Sequence, residues 1–344
     1  MANIFDYLKW RDDIKFDELK EADVLVFNRL VYFPFEKVMQ EKEVLSISNI
    51  YERVLLIKPL KWARQDYQLL SILANSNRYK DLLISRVVCI EDLEKKEQFM
   101  AMTIHLPNNY LYLAFRGTTD DVMGWKESLK MSYEIVPSQL DALNYLNTSK
   151  FSKRLYLGGH SKGGNLAMYA AVYTNRIIQS RIIKVFNYDG PGFMELDNKY
   201  YSINNKIVSY LPNTSIVGRL HNINHNVVVI QSDKKGFKGH NLYSWQVEKD
   251  RLVPGILSKE SDFFKKTIDD FVKRVNSNNR KRLLDEIFSS IEKTGAKQIK
   301  DIDFFKLKDI LLSYRNLDNE SKDLLFNVFK VIFESTKDHF VNKV

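Results

Sequence analysis

The sequence predicts an α/β fold in which helices cover both faces of a largely parallel, doubly wound sheet. Between residues 82 and 233, short segments rich in Val, Ile, Leu, Tyr and Phe alternate with helical segments. Such alternation is typical of parallel strands joined by crossover helices. Before and after this stretch, apolar residues recur at spacings of three and four, which predicts further helices at both ends of the chain.

Turn residues or charged segments bound the predicted strands. Pro107 follows one strand, and the Gly-Pro-Gly sequence at 190–192 closes another. One helix is predicted near 140–146, and an Ala-rich helix is predicted over 163–177. The predicted strands lie within 82–92, 97–106, 110–117, 153–159, 181–193, 206–212 and 225–233.

Two helical regions flank the sheet in this prediction. Residues 1–80, called the N-terminal cover below, show helical periodicity interrupted near Pro34 and Pro59. We therefore predict one domain over 1–257, which includes the N-terminal cover, and a helical appendage over 258–344. The apolar stripes of the appendage predict core packing, with docking to a membrane or a partner as the alternative.

The composition predicts a cytoplasmic protein without a membrane span. Cys89 is the single cysteine, and the first residues lack the basic and apolar segments of a secretory signal. No apolar stretch approaches the roughly 18 residues that a spanning helix needs. The net charge of +9 is spread along the chain, so we expect no nucleic-acid partner, while peripheral contact with anionic lipid stays open. The sequence does not indicate which oligomeric state the protein adopts.

The segment GGHSKGGNLA at 158–167 has the spacing of a nucleophile elbow. Gly159 and Gly163 stand two residues before and after Ser161, between a predicted strand and a predicted helix. A serine on so sharp a turn has a strained backbone, and glycines on either side leave room for it. The N-terminus of the next helix directs free N–H groups toward the same place. The pattern therefore predicts Ser161 as a nucleophile.

Two alternatives compete for this segment. A phosphate-binding loop needs the order G-x-x-x-x-G-K-[ST], but Lys162 precedes Gly163 and no Ser or Thr follows it. A purely structural strand-to-helix turn stays open from the motif alone.

A nucleophilic serine on an elbow takes its base from a histidine later in the chain. Because Ser161 ends a strand, the base must lie in a loop that leaves the carboxyl end of a strand. His221 and His225 precede a strand, and His339 lies in the helical tail. His240 follows a strand, so we predict it as the base, with a surface-loop histidine as the alternative.

Asp189 is the predicted acid, because it ends a strand and is followed by the rigid turn at 190–192. Asp233 also ends a strand and is the second candidate, Asp197 is more distant, and a turn-capping role for Asp189 stays open. The backbone amides of Thr118 and Lys162 are the predicted donors to an oxyanion.

Two residues near Thr118 have weaker predictions. Arg116 ends a strand, where an arginine more often holds loops in place than takes part in chemistry. Trp125, within 120–131, is predicted either to line or cover an acyl pocket or to belong to the core.

These motifs carry a family resemblance. The segments AFRGTTD, LGGHSKGGNLA and NYDGPGF occur in the order found in the class three lipase branch of the α/β-hydrolases, which the chain resembles. The segments NIFDYLKWR, GWKES, SIVG and GHNLYSWQV are similar to the bacterial Mbeg-like family, a lipase-like group of unknown function. The resemblance covers residues 1–250 and says little about the tail.

The resemblance implies Ser161 as nucleophile, His240 as base, and Thr118 with Lys162 as oxyanion donors. Class three lipases place the acid after the next strand, where the segment YLPNTSIVG has no carboxylate. Asp189 instead resembles the placement in pancreatic-type lipases. The acid is therefore the triad member that the resemblance does not identify.

We predict a serine hydrolase that cleaves an acyl ester or lipid through an acyl-serine intermediate, with no metal and no cofactor. The alternative is a hydrolase-fold protein that binds an acyl ligand, a lipid or a protein partner without turnover. Transfer of the acyl group to an acceptor other than water would use the same residues. Lys234, Lys235 and Lys238, just before His240, fit either an anionic head group or a solvated loop.

Overall fold

One eight-stranded sheet forms the centre of the molecule. The computed structural model describes residues 2–293, except 13, 58–63, 93–96, 120–121 and 150–152, together with 319, 322, 323 and 326. The strands are β1 (Val44–Ser46), β2 (Leu83–Asp92), β3 (Glu97–Leu106), β4 (Tyr110–Phe115), β5 (Arg154–His160), β6 (Ile182–Tyr188), β7 (Ile207–Pro212) and β8 (Asn226–Ile230), with a separate hairpin of β9 (Val247–Glu248) and β10 (Arg251–Leu252). Strands β1 to β4 pair antiparallel, and β4 to β8 pair in parallel.

Helices cover both faces of this sheet, which confirms the predicted α/β fold with a largely parallel sheet. The N-terminal cover contains α1 (Ile4–Trp10), α2 (Glu21–Leu30), α3 (Ile47–Leu56) and α4 (Arg64–Asn75). The crossover helices are α5 (Val122–Lys130), α6 (Pro137–Asn147), α7 (Lys162–Tyr173), α8 (Arg176–Arg181) and α9 (Asn198–Tyr201). The appendage begins with α10 (Lys259–Arg274) and α11 (Ser277–Lys293).

Alternation along the strands separates the two cores. On β4, Tyr112 and Ala114 pack in the core beneath the N-terminal cover, whereas Leu111 and Leu113 pack with α6 and α7. The strands lie in chain order without a reversal, so right-handed crossovers pack on one face only. The N-terminal cover therefore closes the face that the crossover helices leave open.

A buried ion pair fixes the N-terminal cover internally. Arg78 donates to Asp23 through two nitrogens, at 3.0 and 2.7 Å, and both side chains are almost fully buried. The hydroxyls of Tyr7 and Tyr79 donate to the same carboxylate. A buried charge is tolerated only when it is paired and hydrogen bonded in this way, so these contacts hold α1, α2 and the turn after α4 together.

Helix α11 of the appendage packs on α5. Lys126 donates to Glu292 at 3.0 Å and lies 5.6 Å from the centre of the Phe288 ring. Leu283 and Ile287 are buried in the same helix. The predicted core role of the apolar stripes therefore holds for α11, whereas most of the segment 321–333 lies outside the described residues.

Two elements differ from the sequence prediction. The helix predicted over 163–177 ends at Tyr173, and a second helix follows after Asn175, whose side chain accepts from the Ile178 amide and caps it. The N-terminal cover also contains the three-residue strand β1, which pairs with β2 and which helical periodicity does not reveal. Within the described part of the chain, no helix combines the length and apolarity needed to cross a bilayer.

Candidate active site

Ser161 forms the tip of a sharp turn between β5 and α7. Its backbone has φ 56° and ψ −131°. Its side-chain hydroxyl makes no capping hydrogen bond to α7. A Cβ on Gly159 would come within 2.3 Å of the Gly163 backbone, and one on Gly163 would come within 2.1 Å of the Phe115 carbonyl oxygen. Both glycines of the predicted elbow are therefore required by close backbone approach.

Asp189 and His240 are hydrogen bonded beside this turn. The distance between His240 Nδ1 and Asp189 Oδ2 is 2.7 Å, and the Asp189 carboxylate is fully buried. Its Oδ1 accepts from the Ser215 hydroxyl and, at 3.0 Å, from the Gly218 amide. Because a carboxylate accepts, Nδ1 of a neutral His240 carries the proton and Nε2 keeps its lone pair.

Parallel pairing brings Ser161 to the same edge. His160 on β5 pairs with Tyr188 on β6, and the Ser161 amide donates to the Tyr188 carbonyl at 2.9 Å. Asp189 is the next residue, and its own amide donates to Tyr210 on β7. The carboxyl ends of β5 and β6 thus place Ser161 and Asp189 next to each other.

His160, the residue before Ser161, contacts His240 directly. Its ring lies 4.3 Å from the His240 ring, centre to centre, and its Nε2 is 2.8 Å from the His240 carbonyl oxygen. Its Nδ1 is 2.9 Å from the hydroxyl of Tyr32. Burial raises the pKa of the Tyr32 phenol above its ordinary value. The phenol therefore keeps its proton at neutral pH and can donate it to His160.

The loop after β4 passes close to the elbow. A Cβ on Gly117 would lie 2.4 Å from the His160 carbonyl oxygen and 3.2 Å from the Ser161 Cβ. The next residue, Thr118, has its hydroxyl 2.5 Å from that of Ser128 on α5. Lys162 is the first residue of α7, where backbone N–H groups lack an acceptor within the helix. The two predicted amide donors thus belong to segments that flank Ser161.

The side chain of Lys162 forms a buried ion pair that the sequence did not reveal. Its Nζ lies 2.6 Å from Glu127 Oε2 on α5 and 2.6 Å from the Gln98 carbonyl oxygen. Both charged side chains are 1% exposed. Glu127 also accepts from the amides of Gln98 and Ser138. The elbow is therefore tied to β3, α5 and the start of α6 through one carboxylate.

The other candidate histidines and carboxylates have different surroundings. Asp233 is exposed, and Asp197 caps α9. His225 contacts the hydroxyls of Tyr200 and Ser209, each at 2.6 Å. Burial lowers the pKa of His225 to about 4. His221 precedes β8 and burial also lowers its pKa to about 4.

Three further predictions concern the surroundings of the site. Arg116 is buried and lies 3.8 Å from Glu91 and 3.9 Å from the Cys89 sulfur, which fits the predicted structural role. The Trp125 side chain and all of His339 lie outside the described residues. No group of three or more His, Cys, Asp or Glu side chains in the described ranges could hold a metal ion.

Three residues around this site were not predicted from the sequence. Glu127 contacts Lys162, Tyr32 contacts His160 and His160 contacts His240, each across 35 or more positions of sequence. Two signals were present. Glu127 stands in the segment GWKES, which contributed to the family resemblance, and His160 stands inside the elbow motif itself.

The mostly parallel sheet with flanking helices, and the strained turn at Ser161 between a strand and a helix, are arranged as in the α/β-hydrolases, and that is the fold class of this chain. The chain belongs to the Mbeg1-like family, whose model matches residues 73–289. A comparison of the chain with curated proteins found no match.

Several solved lipase structures are similar to the chain at low identity. The Rhizomucor miehei lipase propeptide complex has 15% identity and a TM-score of 0.38, with 60% of this chain and 67% of that chain covered. A mutant form of MDLA from Penicillium cyclopium has 12% identity and a TM-score of 0.41, with coverages of 70% and 87%. The lipase from Rhizopus microsporus var. chinensis has 12% identity and a TM-score of 0.36, with coverages of 71% and 90%. Family membership rests on the match to residues 73–289.

Proposed function

We propose that this protein is a serine hydrolase that cleaves carboxylic esters, of the esterase or lipase type. The observation that carries the proposal is the 2.7 Å contact between His240 Nδ1 and the buried Asp189, at the strand edge where Ser161 sits on a strained turn. Nothing in ordinary strand-to-helix geometry requires a serine with φ 56° or a histidine held by a fully buried carboxylate.

The proposed reaction has two halves. His240 Nε2 takes the proton of Ser161 as Oγ attacks the ester carbonyl, and the amides of Thr118 and Lys162 donate to the oxyanion. The intermediate collapses to an acyl-serine, and the leaving alcohol takes the proton from His240. Water then attacks the acyl-serine with His240 again as base, and Ser161 Oγ takes that proton from His240 as its bond to the acyl carbon breaks and the carboxylic acid is released. Asp189 holds the imidazole in its tautomer and stabilises the imidazolium.

The substrate that we propose is an acyl ester or lipid, and the location that we propose for the protein is the cytoplasm. We propose that the reaction uses no metal or cofactor and that the protein binds no nucleic acid. The support for the cytoplasmic assignment is the single cysteine, and the net charge of +9 is compatible with contact between the protein and anionic lipid.

A fluorophosphonate probe tests the nucleophile. We expect it to label the wild-type protein and a Ser85→Ala control, and not Ser161→Ala. Ser85 is a matched control because its hydroxyl is also hydrogen bonded to a histidine, His105, at 2.7 Å. A folded wild-type protein that the probe does not label would contradict the proposal and favour the binding alternative.

A pair of histidine variants tests the base. We expect His240→Gln to lower the rate of ester hydrolysis by at least 10³-fold, because the general base is removed. His225→Gln should keep the wild-type rate, since His225 contacts Tyr200 and Ser209 rather than the site. Equal losses in the two variants would contradict the assignment of His240.

A further inference from the structure

His160 contacts both the backbone and the ring of His240. The His160 Nε2 lies 2.8 Å from the His240 carbonyl oxygen, and a carbonyl can only accept, so Nε2 carries a proton. The 4.3 Å ring contact adds a second restraint on the imidazole of His240. The position of the proposed base therefore depends on the orientation of its neighbour.

Tyr32 of the N-terminal cover fixes that orientation. With Nε2 protonated, Nδ1 of a neutral His160 is an acceptor, and the Tyr32 hydroxyl lies 2.9 Å from it. The same hydroxyl is 3.5 Å from the His160 carbonyl oxygen, which makes Nδ1 the nearer acceptor. A Cβ on Gly117 would lie 2.2 Å from this hydroxyl, so the loop after β4 passes directly over it. Tyr32 thus reaches both the elbow and the proposed oxyanion loop.

Arg29 contacts both Tyr32 and Tyr243, a residue that follows His240 in the same loop. Its guanidinium lies 4.7 Å from the centre of the Tyr32 ring and 4.9 Å from that of Tyr243, three residues after His240. Two hydrogen bonds of 2.7 and 2.6 Å join it to Asp66, and the Tyr243 hydroxyl donates to Asp66 at 2.6 Å. The guanidinium is planar and bidentate here, so it sets the spacing of the two rings.

We propose that Tyr32 and Arg29 are positioning residues of the hydrolase, through which the N-terminal cover sets the geometry of His240. Tyr32 acts on His160, His160 acts on the His240 backbone, and Arg29 with Asp66 and Tyr243 holds the other end of the same loop. Both residues lie outside the 73–289 segment that matches the family. The N-terminal cover therefore completes the site rather than only covering the sheet. This inference rests on the proposed function.

Steady-state kinetics of Tyr32→Phe tests the inference. The variant removes one hydroxyl, so we expect kcat to fall about tenfold with KM within about twofold. The matched control is Tyr51→Phe, which also removes a tyrosine hydroxyl from the N-terminal cover. The Tyr51 hydroxyl accepts from the Ser71 hydroxyl at 3.0 Å. The control should keep the wild-type kcat. A Tyr32→Phe protein with wild-type kcat would overturn the inference.

A double-mutant cycle identifies the route. If Tyr32 acts through His160, the double variant Tyr32→Phe with His160→Phe is no slower than His160→Phe alone. Losses that multiply would show that Tyr32 acts independently and would overturn the proposed connection.

Imidazole ¹⁵N spectra provide a readout that does not need turnover. In Tyr32→Phe we expect altered ¹⁵N signals for the rings of His160 and His240, and unaltered ones for His225. Unaltered His160 and His240 signals would overturn the inference. Altered signals in a protein that the fluorophosphonate probe does not label would leave the geometric connection standing and reject only the hydrolase function.

Discussion

At the scale of single residues, the Asp189 carboxylate is oriented before any substrate arrives. The Ser215 hydroxyl and the Gly218 amide both donate to Oδ1, which leaves Oδ2 for His240. The Asp189 backbone itself has φ 49°, an uncommon conformation for a residue other than glycine. A residue held this firmly has little freedom to turn away from the imidazole.

An Asp189→Asn variant would keep the shape of this group and change its chemistry. An amide can present a donor to Nδ1 and force the wrong tautomer, so we expect kcat to fall by about 10⁴, a loss of the size found when a triad aspartate becomes asparagine. Ester hydrolysis at saturating substrate measures it.

Asp233→Asn is the control for that measurement, because Asp233 is the second candidate from the sequence and is exposed. We expect it to retain wild-type activity. If Asp233→Asn were the more damaging change, the assignment of the acid would be wrong.

At this scale the sequence predicts residues whose role follows from a local pattern. Ser161 has its glycines within two positions, and Asp189 and His240 each follow a strand, so strand polarity brings them to one edge. Tyr32 and Glu127 have no such local signal. They contact the site across 128 and 35 positions of sequence, and only the folded chain brings those positions together.

At the scale of elements, the Glu127 carboxylate joins four of them. It accepts from Lys162 at the start of α7, from Gln98 on β3 and from Ser138 on α6, while standing on α5 itself. Lys126, the residue before Glu127, joins α5 to α11 by donating to Glu292. Both neighbours restrain α5 beside the proposed oxyanion loop.

A Glu127→Gln variant would leave the Lys162 ammonium buried without a counter-charge. Breaking one member of a buried pair costs about 3–5 kcal/mol, and we expect that loss in the free energy of unfolding measured with urea.

The neighbouring pair provides the control. Glu292 is 46% exposed, and an exposed pair contributes below about 1 kcal/mol, so Glu292→Gln should have little effect. Similar losses in both variants would mean that burial does not determine the strength of the Lys162 pair.

The sequence identified elements according to the strength of their pattern. The strands from β2 to β8 follow apolar runs bounded by turn residues, and each lies within one residue of its prediction at the start. The strand β1 has three residues and depends on pairing with β2, which no local pattern encodes. The break after Tyr173 comes from Asn175, whose capping side chain outweighs the helical periodicity around it.

At the scale of the whole molecule, two half-buried histidines couple folding to pH. Burial lowers the pKa values of His225 and His221 to about 4. In the unfolded chain both have pKa values near 6.5, so below pH 6.5 the unfolded state binds protons that the folded state does not. The stability that these neutral histidines confer is complete above pH 6.5 and is lost as the pH falls toward 4.

A His225→Gln variant should show a weaker dependence of stability on pH. We expect the slope between pH 6.5 and 4 to decrease by about 1.4 kcal/mol per pH unit, the contribution of one proton. Urea unfolding of both proteins at pH 7 and pH 5 measures the slope. An unchanged slope would mean that His225 titrates normally in the folded protein.

The first residues of the chain and the segment 247–252 are neighbours in space. Arg11 pairs with Asp250 at 2.9 Å, the Val247 amide donates to the Ala2 carbonyl, and the Leu252 amide donates to Glu21. The partners in each of these pairs are more than 200 residues apart in the sequence. A ribosome synthesises a chain at roughly 5–20 residues per second. The N-terminal helices therefore wait on the order of ten seconds or more for the strands and loop that they dock against. During synthesis, the proposed site can take its final form only after its last part, the His240 loop, has emerged.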